Sequence, residues 1–160
     1  MDTDMEHLIL WRHADAEDGC GDDLARALTP KGRKQAQKVA AWLNEQLKGQ
    51  PMRLIVSEAR RAQETAKALG VDIETSALLN PDHGQSAHYL EAAGWPQGRD
   101  PVVVLVAHQP TLGAVAALLL TGREQDMALK KGGLVWIELR RRGGSCEYVL
   151  RAAITPELLA

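Results

Sequence analysis

Arg12 and His13 stand side by side at the end of an apolar run, Leu8-Ile9-Leu10-Trp11. A core strand has no use for a cation and an imidazole at its end; a reaction site does. Two further apolar stretches end in a similar way. The run "RLIV" leads into "SEARRAQETA", residues 57–66, with Arg60 and Arg61 near a helix start. The run "VVVLVA" leads into His108-Gln109-Pro110. Ligands of an open parallel sheet bind beyond the carboxyl ends of its strands, so these three ends are expected to converge. Arginine forks donate paired hydrogen bonds to phosphoryl oxygens and keep their charge. A neutral histidine can attack phosphorus through one ring nitrogen while the other holds the tautomer by donating a hydrogen bond. A helix beginning at Pro110 would add free backbone N–H groups to such a site.

The elements that must position these residues alternate along the chain. Strands are expected at His7–Trp11, Arg53–Val56, Val102–Ala107, Leu134–Leu139 and Glu147–Ala152, and helices at Pro30–Lys48, Arg60–Leu69, Gln85–Ala93 and Thr111–Leu120. Strands separated by helices argue for a largely parallel sheet covered on both faces. The last two strands, joined by "RRRGGS", suit an antiparallel edge hairpin. Thr29 and Pro30 mark the start of the first long helix. Ala36, Val39, Ala40, Leu43 and Leu47 recur on one of its faces. Gly32, inside its first turn, has no evident sequence reason. The segment "EDGCGDDLARAL", Asn80–Gly84 and "GWPQGRDP" read as loops.

At 160 residues the chain suits a single domain spanning 1–160. Its formal net charge of -2 gives no long-range basic field for nucleic acid and no polybasic run for a membrane. The N-terminus is acidic and the apolar run after it is too short for a signal or a span, which implies a cytoplasmic protein. Cys20 and Cys146 form no CxxC pattern and read as reduced thiols. There is no Phe, and the four Trp residues take over part of the aromatic filling.

Four segments together carry a family resemblance. "LILWRHADA" is similar to the RHG signature of the histidine phosphatase superfamily. "LTPKGRKQAQKVAAWL" resembles its LTxxGxxQA helix, "VSEARRAQETA" its SPxxRAxQTA segment, and "VLVAHQPTLG" its second histidine motif. They stand in family order across most of the chain. The short length, without a large insertion between Arg61 and His108, resembles the compact SixA-like phosphohistidine phosphatases. The resemblance implies a three-layer α/β/α fold of the phosphoglycerate mutase-like type with a mostly parallel sheet. It implies His13 as nucleophile, Arg12 and Arg61 as phosphoryl-binding residues, and His108 as a contact to the same oxygens. No metal or cofactor is implied. Ala14 departs from the usual Gly, Glu58 from Pro and Glu64 from Gln. Phosphoglycerate mutase-like members place a Glu after a mid-chain strand; here the region reads "ETSALLNPDHGQ", where Glu74 stands too early and Asp82 is the nearby candidate acid.

A phosphate ester needs its leaving alkoxide protonated, which a general acid supplies at about 10²–10⁴-fold. A phosphoramidate leaves through an easily protonated imidazole nitrogen. The expected function is therefore hydrolysis of phosphohistidine on a phosphotransfer or phosphorelay protein through a covalent phosphohistidine on His13. The alternatives are a phosphatase of small phosphate esters and a non-catalytic phosphoprotein-binding module. A serine hydrolase and a P-loop nucleotidase lack their GxSxG and GxxxxGK[ST] motifs. Outside the site, Arg60, Lys130-Lys131 and "LRRRGG" read as solvated charge and His7 as structural. His83 and His88 read as surface residues, and Asp15, Glu17 and Asp18 as an acidic loop.

Overall fold

The computed structural model describes residues 5–19, 21–96 and 100–160. Its strands are β1 (Met5–Arg12), β2 (Arg53–Val56), β3 (Ile73–Thr75), β4 (Val102–Ala107), β5 (Leu134–Arg142) and β6 (Ser145–Ile154). Its helices are α1 (Pro30–Leu47), α2 (Arg60–Lys67), α3 (Ser86–Ala93) and α4 (Thr111–Thr121). One sheet runs in the order β3-β2-β4-β1-β5-β6. The pairs β3–β2, β2–β4 and β4–β1 are parallel, while β5 and β6 add an antiparallel edge.

The period-2 alternation of the strands builds two cores. Leu8, Leu10, Ile55, Val103 and Leu105 face one side, where Tyr89 of α3 and Leu112, Val115 and Ala116 of α4 cover them. Ile9, Trp11, Leu54, Val56, Val104 and Val106 face the other, under Val39, Leu43 and Leu47 of α1 and Ala62 and Ala66 of α2. The result is the expected three-layer α/β/α arrangement. The central strands are covered on both faces, which is why they read as unbroken apolar runs.

Two readings are corrected. β3 escaped notice because it is three residues long and mostly exposed. His7, read as structural, lies in β1 and is fully buried, and its Nδ1 accepts the indole N–H of Trp136 at 2.9 Å. The edge hairpin is longer than its apolar residues, because β5 and β6 continue through the exposed Arg140–Cys146 segment. The expected Thr29 cap is present, with its Oγ1 accepting the Gly32 N–H at 2.9 Å. Cys146 is a free, exposed thiol. Cys20 and residues 97–99 of "GWPQGRDP" lie outside the described residues. No described helix is long and apolar enough to cross a membrane.

Candidate active site

The sheet order places the three strand ends together. β4 lies between β2 and β1, so His108, just past β4, is flanked by the residues that follow both neighbours. The His13 N–H donates to the Ala107 carbonyl at 3.2 Å, and the Ser57 N–H to the Val106 carbonyl at 3.1 Å. The rings of His13 and His108 stand 5.2 Å apart, centre to centre. Both are buried, and Arg61 beside them is only 4% exposed.

The tautomer of His13 follows from its surroundings. Its Nδ1 lies 2.8 Å from the Ala14 carbonyl oxygen, which can only accept. Nδ1 therefore carries the proton, and Nε2 keeps a lone pair free. Burial lowers the pKa of His13 to about 4; the Ala14 bond opposes this, and the charges of Arg61, Arg12 and Arg26 add to it. The imidazole is neutral at physiological pH, the state a nucleophile needs.

His108 is held by a chain of side chains. Its Nε2 lies 2.8 Å from Ser57 Oγ. Ser57 Oγ accepts the Ala59 N–H and donates to Asn80 Oδ1 at 3.2 Å. Asn80 cannot be reversed, since its Oδ1 also accepts the Glu58 N–H and its Nδ2 donates to the Glu58 carboxylate at 2.8 Å. With the serine proton committed to Asn80, His108 must donate from Nε2, which leaves Nδ1 as a bare acceptor. That Nδ1 is buried and without a partner. Burial, then the neighbouring His13 and Arg61, lower the pKa of His108 to about 3.

The two arginines differ. Arg12 donates from Nη1 to the Leu129 carbonyl at 2.7 Å, and its buried Nε has no partner. Arg61 donates to the Asp23 carbonyl at 2.7 Å and to the Asp23 carboxylate at 3.0 Å, and its Nε is likewise buried and unpartnered. Burial raises the Asp23 carboxyl, but hydrogen bonds from Arg61 and Arg26 outweigh it and hold Asp23 below the usual carboxylate range. Arg60 points outward and pairs with Glu64, as expected.

Asp23 was hidden from the sequence because "EDGCGDDLARAL" has no periodicity. The segment nevertheless forms a 3-10 turn at Asp23–Ala25, capped by Asp22, with an Ala16–Leu28 bridge beneath it. Ser57 and Asn80 were also missed as site residues, although Ser57 stands at the start of the third motif. Asp82 is exposed in the turn after Asn80. Ala14 is fully buried against Leu28 and Ala36, and its N–H donates to Thr65 Oγ1 at 3.0 Å. A methyl group is accommodated there. Gly32 acquires its reason here: a Cβ would lie 2.0 Å from the Asp15 carbonyl oxygen, so only glycine lets α1 start against the chain leaving His13. Among the described residues no group of His, Cys, Asp and Glu is arranged to hold a metal ion. The two guanidinium groups, with unspent N–H donors, can grip the oxygens of an oxyanion, and the free Nε2 of His13 can attack its central atom.

Residues 8–82 match the histidine phosphatase superfamily (branch 1). An uncharacterized protein of Picosynechococcus sp. is 31% identical over 136 residues, covering 80% of this chain and 82% of that protein. The fold is that of the protein histidine phosphatase SixA in its tungstate complex, with a TM-score of 0.76 at 23% identity, over 95% of this chain and 98% of that one. A mycobacterial glucosyl-3-phosphoglycerate phosphatase bound to VO3 shares it at a TM-score of 0.65 and 19% identity, over 92% and 98%. The chain belongs to the histidine phosphatase superfamily and has a SixA-like fold.

Proposed function

We propose that the protein is a metal-independent phosphatase that removes phosphate from phosphohistidine on a phosphotransfer or phosphorelay protein. The observation that carries the reading is the His13–His108 pair, 5.2 Å apart, with each tautomer held by its own partner. In this reading His13 Nε2 attacks phosphorus in line and the P–N bond to the substrate imidazole breaks. Arg12 and Arg61 bind the transferring oxygens. His108 completes the cradle: the phosphoryl group arrives as a monoanion, its proton is held between one of its oxygens and the free His108 Nδ1, and that proton passes to the departing imidazole nitrogen. Water then cleaves the His13–phosphorus bond and releases phosphate.

The preference for a phosphoramidate over an ester rests on the acid. The loop after β3 turns an amide, Asn80, toward the site, bonded to Ser57 and Glu58. The carboxyl that does reach the arginines, Asp23, is held ionised. Neither can protonate a leaving alkoxide. SixA is a protein histidine phosphatase, which accords with this reading, whereas the mycobacterial neighbour is a glucosyl-3-phosphoglycerate phosphatase.

The test supplies wild type and His13→Ala with a phosphohistidine-bearing phosphotransfer protein and, separately, a panel of phosphate esters, and measures released phosphate. Fast release from phosphohistidine by wild type alone supports the proposal. Faster release from an ester transfers the assignment to a metabolite phosphatase. Release from neither makes the protein a phosphate-binding module.

A further inference from the structure

Five of the seven lysines of this acidic chain, Lys31, Lys34, Lys38, Lys130 and Lys131, gather on one flank of the catalytic end. Lys31, Lys34 and Lys38 line a groove of about 550 Å³ beside Pro30, Gln35 and Pro156. All five are exposed. The two acids among them are already engaged: Glu157 pairs with Lys130, and Asp15 pairs with Lys131 at 3.2 Å and accepts the Thr29 hydroxyl at 2.7 Å. Lys31 acts electrostatically on both of these carboxylates, so the charges form one cluster. Lys31, Lys34 and Lys38 make no ion pair among the described residues.

The groove adjoins the site. Gln35, on its wall, accepts the Asp15 N–H at 2.9 Å, two residues from the nucleophile. Gly132, next to Lys131, donates its N–H to the carbonyl of His13 itself at 3.0 Å. Exposed Glu17, Asp18 and Asp22 line a separate groove, together with Arg26 and Arg60. The unpaired charge beside the catalytic end is therefore the row of Lys31, Lys34 and Lys38 along α1.

We propose that the α1 lysine face docks an acidic segment of the substrate protein beside its phosphohistidine. This rests on the phosphohistidine phosphatase reading. A small metabolite gains nothing from charges arrayed along two turns of a helix; an acidic protein surface gains orientation and a faster encounter. A net charge of -2 leaves no long-range field to hold a nucleic acid, so a protein with a localised acidic patch fits better.

The test uses two short peptides with a central phosphohistidine, one flanked by Asp and Glu and one by Ser and Gly, together with the full-length protein. The variant is Lys31→Glu/Lys34→Glu/Lys38→Glu, at three exposed positions of α1 whose side chains hold no ion pair among the described residues, so the change is compatible with folding. Wild type should favour the acidic peptide by roughly ten-fold or more in kcat/KM, through KM and with strong salt dependence. The variant should lose that preference and keep wild-type turnover of the neutral peptide. Equal loss on both peptides, or none, overturns the proposal. Fluorescence anisotropy with the unphosphorylated acidic peptide reads the surface without turnover. Should wild type hydrolyse neither peptide, the phosphatase reading fails, while charge-dependent anisotropy would still uphold the docking face and unchanged anisotropy would remove it. Tighter binding of short single-stranded DNA, or of phosphatidylserine vesicles, than of the acidic peptide also overturns it.

Discussion

Ser57→Ala tests the side-chain chain behind His108. The substitution deletes the hydroxyl 2.8 Å from His108 Nε2, at a position with no solvent access. The Nε2–H then has no acceptor, which costs about 1–3 kcal/mol for a buried donor. The ring recovers part of this by moving its proton to Nδ1 or by rotating, and either change alters what it presents to a phosphoryl group. A rate loss of roughly 10- to 100-fold in kcat, corresponding to about 1.4–2.7 kcal/mol, is expected. The Ala59 N–H loses the same acceptor, so some thermal stability is lost as well. A double-mutant cycle separates the two effects. Turnover of a small phosphoramidate is measured for wild type, Ser57→Ala, His108→Ala and the double variant, with melting curves for each. If Ser57 acts through His108, removing it from the His108→Ala background slows the reaction no further, although melting still shifts. An equal rate penalty in both backgrounds, or a folded Ser57→Ala protein within two-fold of wild type, would refute the reasoning.

Three further outcomes are expected. Gly32→Ala would drive a methyl against the Asp15 backbone, where no flexible side chain can yield; it should lower stability by about 1–3 kcal/mol and reduce kcat, read by denaturant melts and steady-state kinetics. Folded-state pKa values of about 4 for His13 and about 3 for His108 lie below the 6.5 of an exposed histidine. Their contribution to stability is therefore complete above pH 6.5 and is lost progressively as pH falls through the two folded values; a denaturation series against pH should show this, and His13→Ala/His108→Ala should flatten it. Leu105→Ala, at a fully buried position of β4, should cost about 2–5 kcal/mol in urea melts while leaving kcat of the folded fraction near wild type.

The extent to which the site could be read from sequence followed the range of its interactions. β2 and β4 carried their limits in unbroken apolar runs, and α1 carried its start in Thr29 and Pro30. His13, Arg12, Arg61 and His108 were legible because each follows a strand or opens a helix in a recurring motif. Asp23 and Asn80 were not, because their importance comes from what they meet. Asn80 reaches Ser57 across 23 positions, and Asp23 meets Arg61 across 38. No local pattern encodes such pairs. Gly32 stood between the two cases: the residue was conspicuous, but its reason is the Asp15 carbonyl, seventeen positions earlier in the chain. β3 was lost for a simpler cause, being too short and too exposed to show a period.

The grip of Asp23 on Arg61 has a consequence for turnover. Under the proposed reading, an arriving phosphoryl group displaces a resident carboxylate from the guanidinium rather than loose solvent. Ground-state affinity is lowered by that exchange, whereas the strengthening of charge at the transferring oxygens in the transition state is not. The same exchange runs in reverse at the end of the cycle. As free phosphate departs, the carboxylate is tethered within reach and reclaims the fork. The loop thereby acts as a built-in eluent, which limits inhibition by product and leaves the emptied cradle neutralised until the next substrate arrives.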